Sequence, residues 1–337
     1  MFGRKRQAPT PGTAGADRAE APFSIYVLLS ERLSYASHDV EAALAEDFPD
    51  LDWESGVLPD LPFDTATSPF SMLSCGAKLS VASITGGGPL PFAWDDLLPR
   101  NQLDPAVPEV QAIMASEAHL VINVTATGAD IVDRVAAARH ATAIAATFAA
   151  LPIATGVVTG WSNRVIPAAR LARTAQTIRD GGIPLLDWIL PIWFTDPDAP
   201  EGHVSGATIG LAAFTGHEVE VRQSPLPLVE SLTPLLMAST QILERGHVYA
   251  DGDTLGHDGP DAVAWRIRHM KAGKLGNDTD RWVLLHPDSP FPDRKLLGRP
   301  GGRRTPPGLI KRQSSGETGW LRRRLVAFAR AGAAPLQ

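Results

Sequence analysis

The chain of 337 residues holds a single cysteine, Cys75. That excludes an internal disulfide and a thiolate-rich metal centre, and the cytoplasm is the expected compartment. No apolar run reaches the roughly 18 residues that a membrane-spanning helix needs. Even the alanine-rich stretch near residue 140 is broken by Arg139 and His140. The basic start Arg4-Lys5-Arg6 runs into Pro, Thr, Gly and Ala, so residues 1–22 read as a flexible arm rather than an export signal. Also missing are a Gly-x-Ser-x-Gly elbow, a phosphate loop ending in Gly-Lys-Ser/Thr, a His-Glu-x-x-His pair and a Cys-x-x-Cys pair. Gly86-Gly-Gly88 is followed by Pro89, which suits a turn better than a phosphate cradle. No cofactor is expected.

What is present suffices for a large core. Apolar residues make up 44% and charged residues 20% of the chain, a balance that excludes disorder or coiled coil as a description of the whole. Thirty glycines and 29 prolines imply many turns and short elements. The net charge of −6 hides an asymmetry, because residues 291–337 hold eleven Lys/Arg against Asp293 and Glu317. That segment carries +9 and residues 1–290 carry −15. An acidic body with a basic, largely disordered tail is expected. The tail, with Leu321, Leu325 and Phe328 on one side of a short basic helix, is suited to contact that body, nucleic acid or anionic lipid.

The apolar periodicity places a strand over 23–30 and a helix from Ser37 with Leu44 and Phe48 on one face. A weak strand over 51–54 and a stronger one over 77–84 follow, then a helix starting at Asp104-Pro105 and a strand over 119–126. This strand-helix-strand-strand-helix-strand order is the ferredoxin-like pattern. After a helix over 130–150 the pattern begins again: strands over 153–159, 188–195, 207–214, 247–250, 263–270 and 282–286, with helices over 163–178 and 225–244. Gly76-Ala-Lys-Leu-Ser-Val-Ala-Ser-Ile-Thr-Gly86 also aligns without gaps on Gly206-Ala-Thr-Ile-Gly-Leu-Ala-Ala-Phe-Thr-Gly216, with five of eleven positions identical. The expected fold is therefore α+β: two diverged ferredoxin-like βαββαβ units with mainly antiparallel sheets, residues 23–150 and 151–290, between flexible basic termini.

The stretches Gly210-Leu-Ala-Ala-Phe-Thr-Gly-His-Glu-Val-Glu-Val221, Gly246-His-Val-Tyr-Ala-Asp-Gly-Asp-Thr-Leu-Gly256 and Trp265-Arg-Ile-Arg-His269 together resemble the bacterial family catalogued as domain of unknown function 4261. The resemblance is best over residues 208–286. It implies a soluble bacterial protein with an α+β fold and no assigned activity, and it brings no catalytic residues with it.

Three groups of residues carry candidate chemistry. Asp251-Gly-Asp-Thr-Leu-Gly-His-Asp258 resembles a calcium loop, but Leu255 and Ala262 occupy ligand positions. A tight turn with Gly252 at positive φ is expected instead. Six of the nine histidines lie between residues 203 and 286; of these His247, His257 and His269 are the alternative metal ligands, although their spacing matches no ligand motif. Along 263–270, alternation puts Val263, Trp265, Ile267 and His269 on one face and Ala264, Arg266, Arg268 and Met270 on the other. Arg266 and Arg268, with Asp251 and Asp253, are the candidate ligand-binding residues, since two arginines side by side receive a carboxylate or phosphate. A solvated face in which the arginines pair with nearby aspartates is the plain alternative. His140 follows Val132, Ala136, Ile144 and Phe148 around its helix, as a core residue does. The expected function is a non-catalytic binding or regulatory module for a protein or a small anionic ligand. The alternative is a metal-dependent hydrolase using residues 247–269.

Overall fold

A computed structural model describes residues 21–51, 62–64, 71–74, 81–86, 90, 92–126, 128–194, 196–256, 263–272 and 279–291. Two compact units emerge: Met1–Leu190 with Ile209–Gly216, and Pro191–Thr208 with His217–Gln337.

Unit 1 holds β1 (Phe23–Leu29), β2 (Ser34–Ala36), α1 (Ser37–Asp47), β3 (Pro62–Asp64), β4 (Ser71–Ser74), β5 (Val81–Gly86), α2 (Trp94–Asn101), α3 (Pro108–Met114), β6 (Ala118–Val124), α4 (Ile131–Ala149), β7 (Ala154–Thr159), β8 (Arg164–Pro167), α5 (Ala168–Arg179) and α6 (Leu185–Trp188). Its main sheet runs β4-β5-β6-β1-β7-β8 among the described residues, antiparallel throughout, while β2 pairs with β3. Alternation along β1 sends Phe23, Ile25, Val27 and Leu29 to the face that α4 covers. Tyr26 and Leu28 go to the other face, against Leu97, Ile113, Val158 and Val165. Asp130 caps α4, its carboxylate accepting from the Asp133 N–H at 2.9 Å. Buried alanines at 137, 138, 141 and 145 let this helix lie close to the sheet and to α5. His140 is a core residue, 2% exposed, with its Nδ1 2.9 Å from the Ala136 carbonyl. Asn101 substitutes for a strand at the free edge of β8: its Oδ1 accepts from Val165 N–H at 3.0 Å and its Nδ2 donates to Asn163 O at 2.9 Å.

Unit 2 contributes β9 (Leu190–Phe194), β10 (Val204–Ile209), β11 (His217–Ser224), α8 (Leu228–Arg245), β12 (Thr254–Leu255), β13 (Trp265–Met270) and β14 (Asp280–Leu285), while the short α7 (Ala212–Thr215) belongs to unit 1. Its sheet runs β12-β13-β14-β11-β10-β9 among the described residues. The sheet is mixed, because β11 and β14 are parallel while β10 with β11, β12 with β13 and β13 with β14 are antiparallel. The chain between the parallel strands includes α8, which packs on β11.

The α+β class is as expected, but these orders do not confirm the ferredoxin-like duplication. A ferredoxin-like unit spaces its strands 4-1-3-2. Here β6 flanks β1 as the fourth strand does, but β5 lies beyond β6, and the other side of β1 is taken by β7. The boundary drawn at residue 150 thus falls inside unit 1, because β7 and β8 complete its sheet. The aligned repeat separates too: Val81–Gly86 is the strand β5, while the matching residues 211–216 form α7 and its left-handed cap at Gly216. Gly210 holds the turn before α7 at φ 108°, where an added Cβ would lie 2.6 Å from Ser162 Cβ and 2.9 Å from Trp188 O. The expected strand over 247–250 is irregular, and residues 164–167 of the expected helix form β8. Residues 1–20 and 292–337, nearly all of the basic termini, lie outside the described residues, as do residues 52–61 and 77–80. No helix among the described residues is long and apolar enough to cross a membrane.

Candidate ligand-binding face

The sheet of unit 2 carries charge on one face in a regular array. Pairing aligns Arg266, Arg268 and Met270 of β13 with Leu285, Val283 and Arg281 of β14, and these with Arg222, Glu220 and Glu218 of β11. All point to the same side, as period-two alternation requires. Met270, Val283 and Leu285 are buried under Phe291 as a small apolar cluster. The opposite face is apolar at Val219, Val221, Trp265, Ile267, Trp282 and Leu284, all buried.

At the centre of the charged array Glu220 is fully buried, at 0% exposure. One carboxylate oxygen lies 2.6 Å from Arg281 Nη1 and the other pairs with Arg222 Nε. Arg222 also reaches Asp196 at 3.4 Å and lies over the Phe194 and Phe291 rings, 5.0 and 5.7 Å from their centroids. Burial works against the ionised form of Asp196. Hydrogen bonds from the Gln223 side chain and the Asp198 N–H, and the charge of Arg222, outweigh it and hold the carboxyl below the usual range. Burial also lowers the pKa of Arg222, against the attraction of Asp196. Glu218 accepts from the Thr208 hydroxyl at 2.6 Å.

The sequence-derived candidates lie at the β13 side of this array. Arg268 Nη1 is 3.0 Å from Asp251 Oδ2, and Asp251 Oδ1 accepts from the His269 N–H at 2.9 Å. Gly252 has φ 95°, and Asp253 accepts from the Ala250 N–H at 2.8 Å, so 250–253 is the expected turn. That turn is clasped to β13 by Gly252 N–H to Ile267 O and Ile267 N–H to Asp253 O, both 2.8 Å. Asp251 therefore meets Arg268, while Asp253 shapes the loop. Arg266 is exposed and Arg268 partly so.

The alternative metal ligands are placed otherwise. His269 Nε2 is 2.8 Å from the Tyr249 carbonyl, an acceptor, which puts the ring proton on Nε2. The His247 ring sits edge-on to Tyr249, its centroid 4.4 Å away, and His257 lies outside the described residues. Among the described residues no group of three or more His, Cys, Asp or Glu is placed to hold a metal ion. His217, by contrast, stacks flat on Trp282 at 4.5 Å, with its Nε2 3.8 Å from Asp280.

Comparison of the chain with family models, with curated proteins and with solved structures returned no match.

Asp196, Glu218, Glu220, Arg222 and Arg281 escaped the sequence reading. The available signal was Glu218-Val-Glu-Val-Arg222, a charged position at every second residue of a strand. Such a pattern normally marks a solvated face; only the pairing with β14 turns it into a buried ion network.

Proposed function

We propose that this chain is a non-catalytic binding or regulatory module that presents Arg266 and Arg268 to a small anionic ligand or an acidic protein partner. The observation that carries this reading is the state of the neighbouring carboxylates. Glu220 is held between Arg222 and Arg281, and Asp251 is paired with Arg268. Carboxylates already engaged by guanidinium groups leave no unpaired acid or base in the array, so it suits recognition of a charged group better than acid–base chemistry. The Arg268–Asp251 pair lies at the surface, with the Asp251 side chain 43% exposed, and a partly exposed pair of this kind contributes little and exchanges readily for an incoming anion. Membership of the bacterial family that the chain resembles, a cytoplasmic location, and contact of the basic tail with the acidic body, nucleic acid or anionic lipid belong to the same reading.

Calorimetric titration of the full chain with polyglutamate and with inorganic phosphate tests it. The Arg266→Ala/Arg268→Ala variant is expected to bind at least about tenfold more weakly, a difference of roughly 1.4 kcal/mol. Unchanged binding would remove the β13 face from consideration. Stoichiometric zinc, iron or manganese in the purified protein, lost on His247→Ala or His269→Ala, would instead favour the metal-dependent hydrolase.

A further inference from the structure

Unit 2 carries a short strap after β14, residues 286–291. The chain turns at His286, whose carbonyl accepts from the Ser289 N–H at 2.9 Å, and then crosses the charged face. The Ser289 hydroxyl donates to Arg222 O at 3.0 Å and accepts from the Phe291 N–H at 3.3 Å. That sets the Phe291 ring on Met270, Val283 and Leu285, with the Arg222 guanidinium 5.7 Å from the ring centroid.

The strap hangs on His286. Its side chain is 6% exposed, and its ring stands edge-on to Trp265 with the centroids 5.2 Å apart. Nδ1 accepts a hydrogen bond from the Asp288 N–H at 3.1 Å, so the ring proton is on Nε2, which is closed off from solvent and has no hydrogen-bond partner among the described residues. That bond requires a neutral ring, because a protonated Nδ1 is a donor and accepts nothing. The same residue offers the alternative partner: Asp288 Oδ2 lies 3.8 Å from Nδ1, on a side chain that is 83% exposed. A neutral ring therefore holds the Asp288 backbone and a charged ring holds its carboxylate, and one nitrogen cannot do both.

Among the described residues Asp288 is the only charged group acting on the ring. From β13 it meets Trp265, while Arg222 and Arg266, which flank Leu285 in the sheet, belong to the opposite face. Burial pushes the pKa of His286 down against the pull of Asp288, so the closed position resists the charge.

We propose that residues 286–291 form a pH-sensitive strap latched by His286, closed over Met270, Val283 and Leu285 when the ring is neutral and released when it is protonated. Release uncovers Val283 and Leu285 of β14, which lie between the arginines of β13 and the Glu220–Arg222 pair of β11. It also takes Phe291 away from Arg222. The latch is independent of whether the β13 arginines bind an anion, because its opening is measured without any ligand.

Amide exchange of the full chain, followed by NMR at about pH 7.5 and about pH 5.5 and expressed as protection factors, tests this. An exposed histidine titrates near 6.5, so a ring that stays neutral in the closed strap makes opening up to about tenfold more favourable at the lower pH. The Asp288, Ser289 and Phe291 amides are expected to lose protection several-fold, up to that limit, while Trp282 and Val283 in β14 keep theirs. His286→Asn, which puts an acceptor that does not titrate near the position of Nδ1, is expected to remove the pH dependence at all three. A second check needs no variant: the nitrogen NMR spectrum of the imidazole at the higher pH is expected to show Nδ1 unprotonated and Nε2 protonated. Equal protection at both pH values, an equal loss in β14, a loss that survives His286→Asn, or a proton on Nδ1 at the higher pH overturns the proposal.

Discussion

Glu220 is the residue on which the charged face of unit 2 turns. It is fully buried and sits between two guanidinium groups, Arg222 on its own strand and Arg281 on the next. Removing one partner of a buried ion network leaves uncompensated charge, a loss of about 3–5 kcal/mol. Glu220→Ala is therefore expected to lower the urea unfolding midpoint by far more than Arg266→Ala, whose side chain is exposed. Equal effects in denaturant titrations would show that the network around Glu220 holds nothing together. Arg268 falls between these extremes, because its partner Asp251 is at the surface.

At the level of elements, the two sheets protect their edges differently. In unit 2 the outer edge of β13 is occupied by the turn at Gly252 and by the two-residue β12, so the loop that carries Asp251 is also the cover of an edge strand. In unit 1 the edge strand β8 is closed by one side chain, Asn101, which serves both a backbone N–H and a backbone carbonyl. Asn101→Ala would leave the buried Val165 N–H unpaired, at about 1–3 kcal/mol. Amide exchange at Val165 is expected to accelerate while exchange in β1 stays slow. A variant in which Val165 remains as protected as β1 would show that Asn101 does not close the edge.

For the molecule as a whole, the histidines and aspartates among the described residues whose pKa values the fold moves all act in one direction. Burial lowers the pKa of His119 in unit 1 and of His286 in unit 2, in the latter against the charge of Asp288. Each is neutral in the folded state, and the unfolded chain takes up the proton first as pH falls past about 6.5. Their contribution is present above that value and is lost as pH drops toward their folded pKa. Asp280 is partly buried, which raises its pKa, but Lys271, the Ala272 N–H and His217 together hold it below the usual range, as the partners of Asp196 do. Their contribution is present above about pH 4 and is lost below it. Stability is thus expected to fall in two stages on acidification. Unfolding midpoints measured from pH 8 to 3 check this: the His119→Gln/His286→Gln variant is expected to flatten the first stage and Asp280→Asn the second.

The local sequence alone determined the apolar runs of β1 and β6, the alternating strand β13, the short strand β14, the helices α4 and α8, the turn at Gly252 and the core position of His140. Each depends on nearest neighbours along the chain: period-two or period-3.6 burial, or a glycine's freedom at positive φ. Sheet order did not follow from it, because β5 can pair on either side of β1 or β6 with the same side chains. Nor did the fate of the repeat, since Ala, Thr and Gly have weak preferences and become strand in Val81–Gly86 but helical turn in Ala212–Thr215. The same division runs through the candidate sites. Arg266 and Arg268 were legible because one strand displays them side by side. The Glu220 network was decided by tertiary structure, since a charge becomes buried and paired only through partners far along the chain: Arg281 stands 61 residues from Glu220.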